Sequence, residues 1–297
     1  MWQVVLLHSQ IFGGRVFRFP KKRRMSQPRT LVIDAADGFP LVADVYRGDD
    51  RTVVIASATA VPRRFYRHLT SFLQSWGATV IAFDYRGIGD SRPASLKGFE
   101  AKFSDWGSLD LKGVLRWARE QERGPVFLVG HSAGGQVAAL ADTPVEAMVT
   151  VSAQSGYWAL QGGWQKAAVL FHMTVTFPLL CRLFGYMPWS RLGGGAQDLP
   201  KGVALQWARW CRNRDYLFSE RALPLHLYSR FTAPVLAYSI HDDDWGTAAS
   251  VDSMMGHYPN LTRRHLKGPR KLGHFGYFKP RSEQLWGEVT GFFESVG

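Results

Sequence analysis

The sequence predicts an α/β fold: a mostly parallel central sheet with helices on both faces and one helical insertion. Three observations carry this expectation. From residue 30, short apolar and β-branched runs alternate with segments of helical periodicity. The alternation stops over about 155–232 and resumes at VLAYSI, residues 235–240. The 297 residues, 46% of them hydrophobic, are enough for one large domain that needs no disulfide or metal staple.

The elements follow in chain order. TLVIDAADGFPLVADVY reads as a hairpin turning near Asp37 and Gly38. Val53 to Ala56 is a short buried strand. Phe65, Leu69, Phe72, Leu73 and Trp76 recur at helical spacing, and Gly77 ends that helix. Thr79 to Phe83 is the next strand. A helix is expected over 105–121, with Asp105 as its N-cap and Leu111, Val114, Leu115 and Ala118 on its apolar face. Unbroken apolarity makes PVFLV, residues 125–129, a fully buried strand, and a helix follows GHSAG at once. Another strand spans Ala147 to Val151. After the insertion come VLAYSI, a helix near 248–257, a strand near 261–266 and a last helix near 283–295.

The layout is therefore an arm (1–29), a first core segment (30–154), a helical insertion (155–232) and a second core segment (233–297). The insertion is too long for a structureless loop. It holds Trp158, Trp164, Trp189, Trp207 and Trp210, five of the eleven tryptophans. Within it VALQWARWCRNRDYL looks helical, and AAVLFHMTVTFPLLCRLFGY is an apolar run expected to break at Pro178.

Composition excludes a disordered, collagen-like or coiled-coil chain. The net charge of +12 invites an anionic partner. Half of that excess lies in residues 1–24, which carry Arg15, Arg18, Lys21, Lys22, Arg23 and Arg24 and no acid. The rest of the chain holds no recognisable nucleic-acid module, so no nucleic-acid partner is expected. In the arm the apolar run precedes the basic cluster, the reverse of a secretory signal, and it is too short and broken to span a bilayer. The arm is a disordered basic tail, a weak membrane-surface anchor or a mis-called start. We prefer the last, with Met25 opening the domain, and expect no transmembrane segment. Cys181 and Cys211 form neither a secreted disulfide framework nor a CxxC pair, which suits reduced thiols in the cytoplasm.

The chemistry centres on Gly130-His131-Ser132-Ala133-Gly134. A bare GxSxG pattern is weak, but one between a buried strand and a helix is specific. There the chain must turn sharply, which strains the serine backbone, lifts Oγ above the sheet and leaves no room for flanking side chains. The helix N-terminus behind it offers free N–H groups, and that of Ala133 can face an oxyanion. A serine needs a base, and the base an orienting acid. In this arrangement both follow the serine, acid first. His274 in KLGHFGYF, between two glycines before the final helix, is the base candidate. SIHDDDWGT supplies the acid. Three adjacent carboxylates cannot all face one imidazole, and among Asp242, Asp243 and Asp244 we choose Asp243, with Asp244 next.

With the elbow, the late acid and the last-loop histidine in that order, the chain resembles the α/β-hydrolases. It further resembles a little-characterised group of bacterial hydrolases with a helical cap. The shared segments read Ala58-Thr59-Ala60-Val61-Pro62-Arg63-Arg64-Phe65-Tyr66, then DYRGIGDS (84–91), then GHFGYF (273–278). The resemblance covers about 30–297. It implies an oxyanion donor in the loop after the third strand. Where the superfamily often has His-Gly, this chain reads Ser57-Ala58-Thr59, so alignment assigns the N–H of Thr59, or else Ala60, as partner to that of Ala133. For Asp84 and Arg86 we expect internal ion pairs rather than catalysis.

The implied reaction is acyl transfer from an ester-like small molecule, with no metal or organic cofactor. Hydrolysis of a carboxylester leads. An amidase, peptidase or acyltransferase with the same triad, and a binding protein without turnover, are the alternatives. The aromatic insertion argues for an apolar or aromatic acyl group. Nine basic residues against three acids over 155–232 lower the case for an aminopeptidase, which needs acids for the substrate amine.

Overall fold

A computed structural model describes residues 27–297 apart from 122–123, 194–196, 269 and 297, together with two short strands of the arm. Those two, Ser9–Phe12 and Arg15–Arg18, pair antiparallel. Residues 1–8, 13–14 and 19–26 of the arm, Met25 among them, lie outside the described residues.

Eight strands make the central sheet: β1 (Arg29–Asp34), β2 (Pro40–Tyr46), β3 (Thr52–Ala56), β4 (Thr79–Phe83), β5 (Val126–His131), β6 (Met148–Val151), β7 (Val235–Ile240) and β8 (Leu261–Leu266). Their spatial order is β8-β7-β6-β5-β3-β4-β2-β1. Only β2 runs against the rest, pairing antiparallel with β1 and β4, while the other pairs are parallel. Every residue of β3, β4, β5, β6 and β7 is buried, as their near-continuous apolarity requires under helices on both faces. Edge strand β8 alternates half-buried with exposed positions over Leu261–Arg264 and also exposes His265.

From β3 the chain moves outward to β4 and then returns to β5 on the other side. The loops leaving β3 and β5 therefore diverge at their carboxyl ends and open a crevice, the usual ligand site of such sheets. One apolar cluster, around Phe83, Trp106 and Leu128, fills one side of the sheet. A second, around Tyr66, Phe127 and Trp286, fills the other.

Helix α1 spans Arg67–Ser75 and α2 spans Lys112–Gln121. Two local expectations change. Asp105 does not cap its helix: its backbone is already helical, and its carboxylate accepts from the Lys102 N–H. The turn that follows, Trp106–Leu111, is a wide π-helix. After the elbow, α3 is a single turn, Ala133–Gln136, that tightens into a 3-10 turn at Ala138–Ala141.

In the insertion, Pro178 does not break the apolar run. Helix α4 (Gln165–Phe171), a π-helical stretch (His172–Thr176) and α5 (Phe177–Phe184) are continuous. The proline stands at the start of α5, where the wider register ends, so its missing N–H falls at the seam between two hydrogen-bond patterns. Gly185, in the left-handed region at φ 78°, ends the run. Among the described residues this 20-residue helix is the one long and apolar enough to cross a membrane by length and composition. It buries one row of side chains, Val169, Met173, Phe177 and Cys181. Helices α6 (Lys201–Cys211) and α7 (His226–Arg230) complete the insertion. After β7 come α8 (Ala248–Met255), a short turn α9 (Gly273–Gly276) and α10 (Gly287–Glu294).

Candidate active site

Ser132 follows β5 directly, with φ 49° and ψ −111°, a conformation that costs a non-glycine residue of order 1–3 kcal/mol. Its neighbours explain the two glycines. A Cβ at Gly130 would meet the Gly135 nitrogen at 2.7 Å, and one at Gly134 would meet the Ala56 carbonyl oxygen at 2.1 Å. Strand β5, β3 and α3 thus approach too closely for side chains, and that closeness sets the bend.

The three acids after β7 part company. Asp243 is buried, and its Oδ2 lies 2.8 Å from His274 Nδ1. Its Oδ1 accepts the N–H groups of Trp245 at 3.0 Å and Gly246 at 2.8 Å. Burial pushes this carboxyl up, but His274 and the Gly246 N–H outweigh it and bring the pKa down to about 2. Asp242 accepts from the Gly273 N–H at 3.1 Å and so tethers the histidine loop. Asp244 faces the insertion, where its carbonyl accepts from the Gly162 N–H.

Ser132, Thr59 and His274 line one cavity of about 670 Å³. Its walls carry Phe65, Trp189, Trp207, Trp245 and Phe275, with Lys279 as its cation. The Ser132 hydroxyl donates to Gln154 Oε1 at 3.3 Å, and Gln136 Nε2 donates to the same oxygen at 3.4 Å. Among the described residues, the N–H groups of Thr59 and Ala133 have no protein acceptor. Ala60, next to Thr59, is itself held at φ 61°.

Sequence reasoning missed how the loops are fixed. The Ala58 N–H donates to Tyr66 Oη at 2.8 Å, and Tyr66 Oη lies 2.9 Å from His131 Nδ1. His131 Nε2 is 2.9 Å from the His274 carbonyl oxygen. A carbonyl only accepts, so Nε2 carries the proton and Nδ1 accepts from the tyrosine. Full burial pushes the His131 pKa well below its ordinary value, in keeping with that neutral ring. One hydrogen-bonded chain thus joins the loop after β3, the elbow and the histidine loop.

The charged motif residues brace the same loops. Arg63 pairs with Asp84 and Asp44, both buried, and reaches Asp90 at 3.0 Å. Arg86 binds buried Asp110 at 2.6 Å and Asp37 at 2.7 Å. Asp84 and Arg86 are therefore internal ion-pair partners. The ATAVPRRFY and DYRGIGDS segments lock together through Arg63. Gln197, from the insertion, donates its N–H to the Ala60 carbonyl and accepts the Gly89 N–H on Oε1 at 2.7 Å.

With this geometry in hand, residues 11–283 match the model of the alpha/beta hydrolase family. The chain belongs to that family. Comparison with curated proteins gave no match. Solved structures similar to this hydrolase include an esterase (EaEST) from Exiguobacterium antarcticum, at 17% identity and TM-score 0.61, covering 90% of this chain and 100% of that one. The Pyrococcus furiosus esterase Pf2001 aligns at 17% identity and TM-score 0.60, covering 91% and 94%. Est1E from Butyrivibrio proteoclasticus, with ferulic acid bound, aligns at 16% identity and TM-score 0.59, covering 90% and 98%. At such identities the likeness is one of fold. None of the nine basic residues of the insertion lines the cavity of the hydrolase, and all nine are exposed.

Proposed function

We propose that this hydrolase cleaves carboxylic esters through an acyl-enzyme, with Ser132 as nucleophile, His274 as base and Asp243 as the acid that orients it. The observation that carries the reading is the convergence at one cavity of a strained serine and an imidazole whose far nitrogen is bonded to a buried carboxylate. Asp243 at Nδ1 leaves Nε2 of His274 as the proton acceptor. In the structure Ser132 Oγ donates to Gln154 rather than to His274, so the reaction requires the hydroxyl to turn to that nitrogen.

In the proposed reaction Nε2 takes the hydroxyl proton as Oγ attacks the ester carbonyl. The N–H groups of Thr59 and Ala133, free of protein acceptors, stabilise the oxyanion, and one such donor is worth roughly 3–4 kcal/mol. The imidazolium then protonates the departing alcohol. Water, deprotonated by the same nitrogen, releases the acid and restores the serine. Residues 155–232 act as the cap, lending Trp189 and Trp207 to the cavity wall. Five aromatic rings there favour an apolar or aromatic acyl group. The exposure of the insertion's cations argues that they form its solvated face rather than a carboxylate site.

A fluorophosphonate probe tests this directly. Ser132 should be labelled in the folded protein, and Ser132→Ala should not. Folded protein that stays unlabelled would remove the proposal. A series of p-nitrophenyl esters should then show preference for medium or aromatic acyl groups. Product analysis with added alcohols, thiols or amines separates hydrolysis from acyl transfer.

A further inference from the structure

A helix at the surface of a soluble fold turns its apolar stripe inward and its polar side outward. The run Gln165–Phe184 does not. Its inner row packs behind the cavity wall, where Phe177 meets the rings of Trp189 at 5.6 Å and Trp207 at 5.8 Å. Its outer side is apolar as well. Trp164 at its start is 73% exposed, Phe171 58%, Leu179 51% and Leu183 67%. An exposed patch of this kind marks an interaction surface.

Charge decides what covers it. The chain from residue 147 to 197 contains no Asp or Glu, while Lys166, Arg182 and Arg191 are all exposed along it. A second copy placed face to face would bring these cations together with no acid from the same segment to pair them. An anionic lipid surface supplies hydrocarbon for the apolar side chains and negative headgroups for the cations. A tryptophan at the helix end suits the headgroup level. The inner row, fixed to the fold along the whole length of the helix, makes it lie flat on such a surface rather than cross it.

We infer that the face Trp164–Leu183 docks this protein on anionic membrane surfaces, with the aromatic cavity held directly behind the docked helix. The inference goes beyond the proposed ester chemistry and stands without it, because its readout is binding.

Full-length protein would be floated with vesicles of phosphatidylcholine and phosphatidylglycerol (7:3), and with phosphatidylcholine alone. It should float with the anionic vesicles, and less as salt is raised. Leu179→Glu with Leu183→Glu should lower the bound fraction roughly tenfold while leaving thermal unfolding and fluorophosphonate labelling as in the parent. Lys166→Glu with Arg182→Glu should weaken anionic binding in the same direction. Three results would overturn the inference: no flotation of the parent; flotation undiminished in the leucine variant, which points to the basic arm; or a dimer by light scattering that the leucine variant turns into a monomer. Loss of labelling in the parent would count against the ester chemistry and leave the docking result standing.

Discussion

Replacing Tyr66 by phenylalanine removes one oxygen and leaves two buried groups without a partner. The Ala58 N–H loses its acceptor at 2.8 Å, and His131 Nδ1 loses its donor at 2.9 Å. Tyr66 and His131 are fully buried and Ala58 is 3% exposed, so water does not readily replace the lost oxygen. Each stranded group costs about 1–3 kcal/mol, so the variant should lose roughly 2–6 kcal/mol. That is a large part of a typical folding stability of about 5–15 kcal/mol. Tyr85 provides the matching control. It is equally buried, but its hydroxyl has no hydrogen-bond partner among the described residues. Tyr85→Phe should therefore be neutral or slightly stabilising. Urea unfolding of the two variants beside the parent measures both effects. The Tyr66 change should also slow reaction with the fluorophosphonate, because Ala58 precedes the proposed oxyanion donor Thr59. If Tyr66→Phe unfolds within about 0.5 kcal/mol of the parent, or no further below it than Tyr85→Phe does, the hydrogen-bonded chain does not hold the loops.

Three further outcomes follow from the same structure. Asp243, near 2 in the fold against an ordinary 3.8, contributes about 2 kcal/mol that is fully present above pH 4 and is lost as pH falls toward 2; acid unfolding of Asp243→Asn should lack that limb. Arg63→Met removes the countercharge of the buried Asp84 carboxylate, leaving it the N–H groups of residues 63 and 90, and should cost about 3–5 kcal/mol in thermal or urea unfolding, with partial recovery on adding Asp84→Asn. Gly134→Ala forces a methyl to within 2.1 Å of the Ala56 carbonyl oxygen; it should destabilise by about 1–3 kcal/mol or more and displace the elbow, measured as a slower labelling rate at Ser132.

The elbow was readable from sequence because its requirements are local: a buried strand, two glycines and a helix start within a few residues. The sheet was readable for the same reason, since strands buried on both faces are near-continuous apolar runs. Sequence favoured Asp243, the carboxylate that the structure sets against His274, but offered no reason for it, because Asp242, Asp243 and Asp244 differ only in which way the loop turns them. The N–H groups of Trp245 and Gly246 fold the loop back onto Asp243. The bond from Tyr66 to His131 joins residues 65 apart, and that from His131 to the His274 carbonyl joins residues 143 apart. No pattern in the chain foretells such pairings. Pro178 misled because a proline is read as a helix breaker from its own geometry, whereas the wide turn before it had already changed the hydrogen-bond register.

Gln197 is a stitch between two parts of the molecule. With one main-chain and one side-chain bond it fastens the insertion to the strained peptide at Ala60 and to the turn at Gly89. Anyone building chimeras by exchanging residues 155–232 for another helical unit would keep the elbow and the buried ion pairs intact, yet cut this stitch. A chimera that folds well but binds acyl groups poorly should be repaired first by restoring a glutamine at this position.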